Sequence, residues 1–128
     1  MDAQVAQDGG DRISARRELA LRAVAAVAAL LAAAIHFALA VADLIPGEPT
    51  RGALFGLMGL GYLASAPAVL ARRPLADSLV LLYAVGLVLA YATSRGELPV
   101  EPIGLATKAA ETVVAVSIGF LVLRRWGG

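Results

Sequence analysis

The residues best suited to chemistry sit in one apolar stretch near the end of the chain. In GLATKAAET, residues 104–112, Thr107, Lys108, Glu111 and Thr112 interrupt a run made otherwise of Gly, Ala and Leu. Lys108 and Glu111 are three apart, while Thr107–Glu111 and Lys108–Thr112 are four apart, the spacings at which helical side chains meet. The pattern predicts a single polar stripe. A carboxylate and an ammonium inside an apolar helix can pair, hold a polar ligand, or pass a proton, and a charge there is costly unless it finds a partner. His36, the sole histidine, lies in an Ala-rich run, and Tyr62 and Tyr91 lie in two further apolar runs. Glu111, Lys108, His36, Tyr62, Tyr91, Thr107 and Thr112 are therefore the candidate ligand or proton-relay residues.

Each has a purely structural alternative. The Lys108 stem can carry its ammonium towards the start of its helix, since helical side chains lean that way. His36 can serve as a hydrogen-bond donor and the tyrosines as packing groups with one satisfied hydroxyl. Glu111 is the hardest to assign to packing alone, because its side chain is short. It pairs with Lys108 or His36, or stays protonated.

The elements that position these residues follow from composition. The chain has 128 residues, 59% of them hydrophobic and only 16% charged. Long segments carry almost no charge, and about 20 apolar residues are what a helix needs to cross a bilayer core. Four such spans are expected, at about 23–42, 52–71, 75–93 and 102–123. Between them lie a Pro/Gly loop (DLIPGEPTR), a tight Arg72–Arg73–Pro74 turn and a second Gly/Pro loop (SRGELPVE). Asp77 and Ser78 are expected at the membrane interface. Residues 1–11 are polar and aperiodic and are expected to form a disordered tail. Residues 12–126 then form one all-α domain, a four-transmembrane-helix bundle. The basic front and apolar body of the first span also describe a signal peptide, but the apolar run exceeds a usual signal h-region, so an uncleaved anchor is expected.

Orientation follows from the arginines. Arg12, Arg16, Arg17, Arg22, Arg72, Arg73, Arg124 and Arg125 would all fall on one side, against Arg51 and Arg95 on the other, where Asp43, Glu48, Glu97 and Glu101 gather. Basic short loops stay in the cytoplasm. The expectation is a multi-pass cell-membrane protein with both termini cytoplasmic.

Helices in lipid associate through close packing of small residues and interhelical hydrogen bonds. Gly52, Gly56, Gly59 and Gly61 in the second span, Gly86-x-x-x-Ala90 in the third, and the alanines of the first and fourth are expected to provide such contacts. Gly56 and Gly59 are read as contacts within the chain rather than as a homodimer face. Pro67 should kink the second span, since it lacks an N–H and crowds the preceding turn. By helix rise, Lys108 lies roughly 9 Å and Glu111 roughly 13 Å along the fourth span. His36, Tyr62 and Tyr91 are expected at similar depths.

The absence of cysteine excludes disulfides, thiol chemistry, Cys-ligated zinc and iron–sulfur clusters. One histidine leaves no His-rich metal site, and a haem would need a second ligand from elsewhere, so no cofactor is expected. With a net charge of +1 and no basic patch interleaved with aromatics, nucleic acid is not an expected partner.

The stretches AAAIHFAL, LFGLMGLGYL and GLATKAAET together resemble small prokaryotic four-helix membrane proteins of unassigned activity, over about Ala33 to Thr112. The resemblance implies that His36, Tyr62, Lys108 and Glu111 form a shared feature, and implies no reaction. Small multidrug transporters, also four-helix proteins, carry their essential glutamate in the first span, where this chain has His36. Two readings stand at this point. The first is a non-enzymatic accessory or assembly protein whose partners are the bilayer and another membrane protein or a second copy. The second is a proton- or ion-coupled carrier, or a small-ligand site, centred on Glu111.

Overall fold

The structure, a computed structural model, describes residues 2–95 and 101–127. It consists of α1 (Asp2–Leu44), α2 (Pro49–Leu70), α3 (Pro74–Arg95) and α4 (Pro102–Trp126). Each of the four is long and apolar enough to cross a membrane. Three open on proline, whose missing N–H is unneeded in the first turn and whose φ is already helical. The α1–α2 turn closes through Gly47, at φ 90°, with Glu48 N–H donating to the Asp43 carbonyl at 2.9 Å. Glycine is used there because L side chains rarely adopt that φ. After α2 the chain reverses at Arg72, which takes a left-handed φ of 57°. Residues 96–100 of the SRGELPVE loop, Glu97 included, lie outside the described residues.

α1 packs most extensively on α2 and then on α4, α3 leans on α4, and α2 and α3 touch less. The buried face of α1 is Ala25, Ala28, Ala29, Ala32, Ala33, His36 and Ala40, spaced three and four apart along one helix stripe. Tyr62, Ala84, Val114 and Ile118 complete the centre, all fully buried. Leucines point the other way, with Leu57, Leu82 and Leu105 among the exposed residues. A core of alanine under a shell of leucine inverts the soluble pattern, and small residues let helix backbones approach closely.

Two expectations differ from the structure. Residues 2–11, read as a disordered tail, are the first turns of α1. Extending an existing helix adds a hydrogen bond per residue without a new nucleus, and the Asp8–Arg12 pair at 3.8 Å supports it. At 43 residues α1 is about 65 Å long, twice what a bilayer core needs. The Gly86-x-x-x-Ala90 step faces outward from α3, and a Cβ at Gly86 would meet nothing within 4 Å. The glycines of α2 differ among themselves. A Cβ at Gly52 would stand 2.7 Å from Leu44 Cγ and one at Gly59 2.9 Å from the Phe37 ring, while one at Gly61 would collide with the Tyr83 phenol. At Gly56 it would rest 4.0 Å from Ala40 Cβ, an ordinary contact. α2 continues past Pro67, which lies on its exposed face.

Candidate functional site

α4 buries Glu111 completely, between α1 and α2. One carboxylate oxygen, Oε2, accepts from the Lys108 ammonium one turn earlier. The other, Oε1, has no hydrogen-bond partner and lies 3.6 Å from His36 Nε2. His36 Nδ1 is 2.7 Å from the Ala32 carbonyl. A carbonyl can only accept, so Nδ1 carries hydrogen and donates, which in the neutral ring leaves Nε2 as an acceptor. Two acceptors then face each other across 3.6 Å. One added proton, on either group, removes that opposition and lets the two close into a hydrogen bond.

Tyr62 packs its ring against His36, with centroids 5.6 Å apart, and its buried hydroxyl lies beside the Glu111 carboxylate without a formed hydrogen bond. Tyr83, which sequence reading did not single out, braces Tyr62 edge-on at 5.0 Å and donates to the Met58 carbonyl at 2.7 Å. Gly61 makes room for that phenol. Its signal in the sequence was the small residue next to Tyr62, which a nearby ring can overlie.

Lys108 also lies over the Tyr91 ring, 4.9 Å from its centroid. Thr107 is buried, but its hydroxyl donates back to the Ile103 carbonyl at 2.8 Å. Thr112 does not join the site. It is exposed and donates to the Lys108 carbonyl at 2.7 Å. A helix advances about 100° per residue, so Thr112 sits that far round from Glu111 and the expected four-residue stripe keeps only three members. His36, Tyr62, Tyr91, Thr107, Lys108 and Glu111 are brought together from all four helices.

Above this cluster a cavity of about 530 Å³ opens where α2 and α3 separate. His36, Tyr91, Thr107 and Lys108 line it, and Asp43 and Arg51 stand at its acidic end. Glu111 lies beneath, in contact with both His36 and Lys108. Arg51 donates twice to Asp43, at 2.9 and 2.7 Å, and this holds the Asp43 carboxyl below its ordinary range. Among the described residues no group of three or more His, Asp or Glu side chains converges to hold a metal ion.

The opposite, basic end carries a second buried charge cluster. Arg22 and Asp77 are both fully buried, and Arg22 donates to the two Asp77 oxygens at 2.7 and 2.9 Å. Arg22 also donates to the Val69 carbonyl at 2.7 Å and to Glu18 at 3.0 Å, while Arg125 reaches Asp77 at 3.3 Å. All four helices are thereby tied at this end. Asp77 was expected at the interface and Arg22 as part of a basic flank; the structure turns both inward. The available signal was an isolated acid among arginines, which attracts more than one of them.

The family of unknown function DUF7475 matches residues 9–122, which take in α2, most of α1 and α4, α3 and the whole Glu111 cluster. The chain belongs to DUF7475. The match takes in Arg22 and Asp77 and stops short of Arg124 and Arg125. No curated protein and no solved structure matches the chain. The description of DUF7475 carries no activity, so the functional reading rests on the geometry above.

Proposed function

We propose that this DUF7475 protein is a multi-pass membrane protein whose cavity, open to the non-cytoplasmic side, takes up a small polar solute or ion together with a proton at Glu111. Four apolar helices, an alanine core under outward leucines, and arginines massed at one end support the membrane reading and the cytoplasmic placement of that end. The observation that carries the function is a fully buried carboxylate, Glu111, whose Oε1 and whose neighbour, the Tyr62 hydroxyl, are in no formed hydrogen bond. A cluster built only to hold helices together satisfies its buried polar groups. Here the unsatisfied ones lie under the floor of an open cavity. In this reading Glu111 is the proton acceptor, His36 shares the proton, and Lys108 holds the second oxygen.

The test is charge movement in proteoliposomes after an acid jump, comparing wild type with Glu111→Gln. Wild type should give a transient inward charge displacement, and the glutamine variant should lose it while remaining folded. A variant that differs only in unfolding temperature would sink the proposal. The lack of cysteine in the chain lets single cysteines at Gly10 and Glu48 report sidedness through an impermeant maleimide. Opposite labelling of the two sites is expected.

A second reading, an accessory subunit, is favoured by the free face of α3. Gly86 and Ala90 are exposed there with open space at Gly86, which suits a partner helix. Co-purification of a larger complex in mild detergent, lost on Gly86→Leu, is the outcome this reading expects.

A further inference from the structure

Away from the Glu111 site, a second cavity of about 220 Å³ opens at the basic end between α1 and the last turn of α4. Ser14, Glu18, Arg22, Leu121, Arg124 and Arg125 line it. Its charges do not balance. Three guanidinium groups face Glu18 and, behind the wall, Asp77. The Arg22 donors are engaged by Glu18, Val69 and Asp77, and Arg125 shares Asp77 at 3.3 Å. Arg124 is paired with no carboxylate among the described residues. Its Nη2 is 3.5 Å from the Ser14 hydroxyl, and its guanidinium lies 5.9 Å from the Phe120 ring. Beside the cavity Leu123 is 73% and Trp126 83% exposed, so an apolar surface adjoins the cationic one.

We infer that this cavity binds the phosphodiester headgroup of an anionic membrane lipid. Phosphate oxygens accept from the Arg124 and Arg125 guanidinium groups and from the Ser14 hydroxyl, bonds that are charge-assisted and short in such sites. The excess cation supplies the charge complement. The adjoining Leu123 and Trp126 surface suits acyl chains and an interfacial indole rather than a soluble phosphate. Basic pockets between helices on the cytoplasmic side hold lipid headgroups by this chemistry. The level fits too, since Ser14 lies roughly 12 Å up the helix from Arg22, about the reach of the headgroup layer from the hydrocarbon edge. The site rests on the membrane reading above and is independent of the Glu111 proposal.

Trp126 is the sole tryptophan of the chain and lies two residues from Arg124, so its fluorescence reports this site alone. The experiment reconstitutes the full chain in bilayers mixing phosphatidylglycerol and phosphatidylcholine, with one or the other brominated to quench Trp126. Brominated phosphatidylglycerol should quench preferentially, corresponding to a preference of about five-fold per arginine engaged. Arg124→Gln should lower the preference about five-fold, adding Arg125→Gln should bring it towards one, Ser14→Ala should lower it partway, and Arg12→Gln should leave it unchanged. Arg12 lies off the cavity with its side chain 80% exposed. Equal quenching by the two lipids overturns the proposal, as does a preference that Arg124→Gln leaves unchanged. A preference erased by soluble glycerol 3-phosphate overturns the lipid assignment in favour of a free phosphate ester. Failure of any brominated lipid to quench removes the membrane reading itself, and this site with it.

Discussion

His36 Nε2 and Glu111 Oε1 stand 3.6 Å apart, one on α1 and one on α4, and when the ring is neutral the Ala32 hydrogen bond leaves Nε2 without a hydrogen. That bond commits Nδ1 as the donor. Neutral His36 should therefore be the Nδ1–H tautomer, the minor form of free imidazole. Nitrogen-15 NMR of the protein in lipid checks this without assignment, because the chain has one histidine. The tautomer should persist in Glu111→Gln, since its cause is the α1 backbone. A protonated Nε2 in the neutral ring would contradict the geometry.

Asp77 joins α3 to α1, two helices that otherwise touch little. It is fully buried and takes three charged hydrogen bonds, two from Arg22 and one from Arg125. Removing one member of a buried pair leaves an uncompensated charge and costs about 3–5 kcal/mol. Asp77→Ala should destabilise by that order in a denaturant or thermal titration in detergent. Arg125→Gln should cost far less, because its side chain is more than a third exposed and screened by solvent.

The pH dependence at the acidic end has a definite sign. Arg51 lowers the Asp43 carboxyl from its ordinary value of 3.8. A lowered folded value means that the pair stabilises the protein above that ordinary value and loses its effect as pH falls through the folded one. Wild type should exceed Asp43→Asn in unfolding temperature at neutral pH, and the gap should close in acid. The pair is exposed, so added salt should narrow the gap as well. A gap that widens in acid would refute the assignment.

Two glycines in similar apolar surroundings should respond oppositely to the same change. Gly61→Ala drives a methyl into the Tyr83 phenol, which must move and give up its bond to Met58. Overpacking of this kind costs about 1–3 kcal/mol. Gly86→Ala meets open space and should be neutral or slightly stabilising, since alanine is the better helix former. Paired thermal melts in the same detergent settle the comparison.

Much of the architecture is a local property and was legible. Hydrophobic length set the four helices, and Pro74 and Pro102 marked two of their starts, whereas Pro49, read as loop, opens α2. The polar residues of the candidate site could be named because each is an anomaly in an apolar run. Their rotation about the helix axes could not be read, and Thr112 shows why. Spacing alone allows it onto the Glu111 stripe, but the packing of α4 against α1 turns the centre of that stripe towards Thr107 and leaves Thr112 outside. Helix rotation depends on which small residues of neighbouring helices let the backbones approach, a relation between distant segments. The same relation buried Arg22 and Asp77 against each other across 55 residues of chain. The sequence by itself determined where helices form and which charges enter apolar surroundings, because length, proline and side-chain type act within a few residues. Tertiary structure alone decided which of those charges meet, because that requires four helices to settle their contacts together.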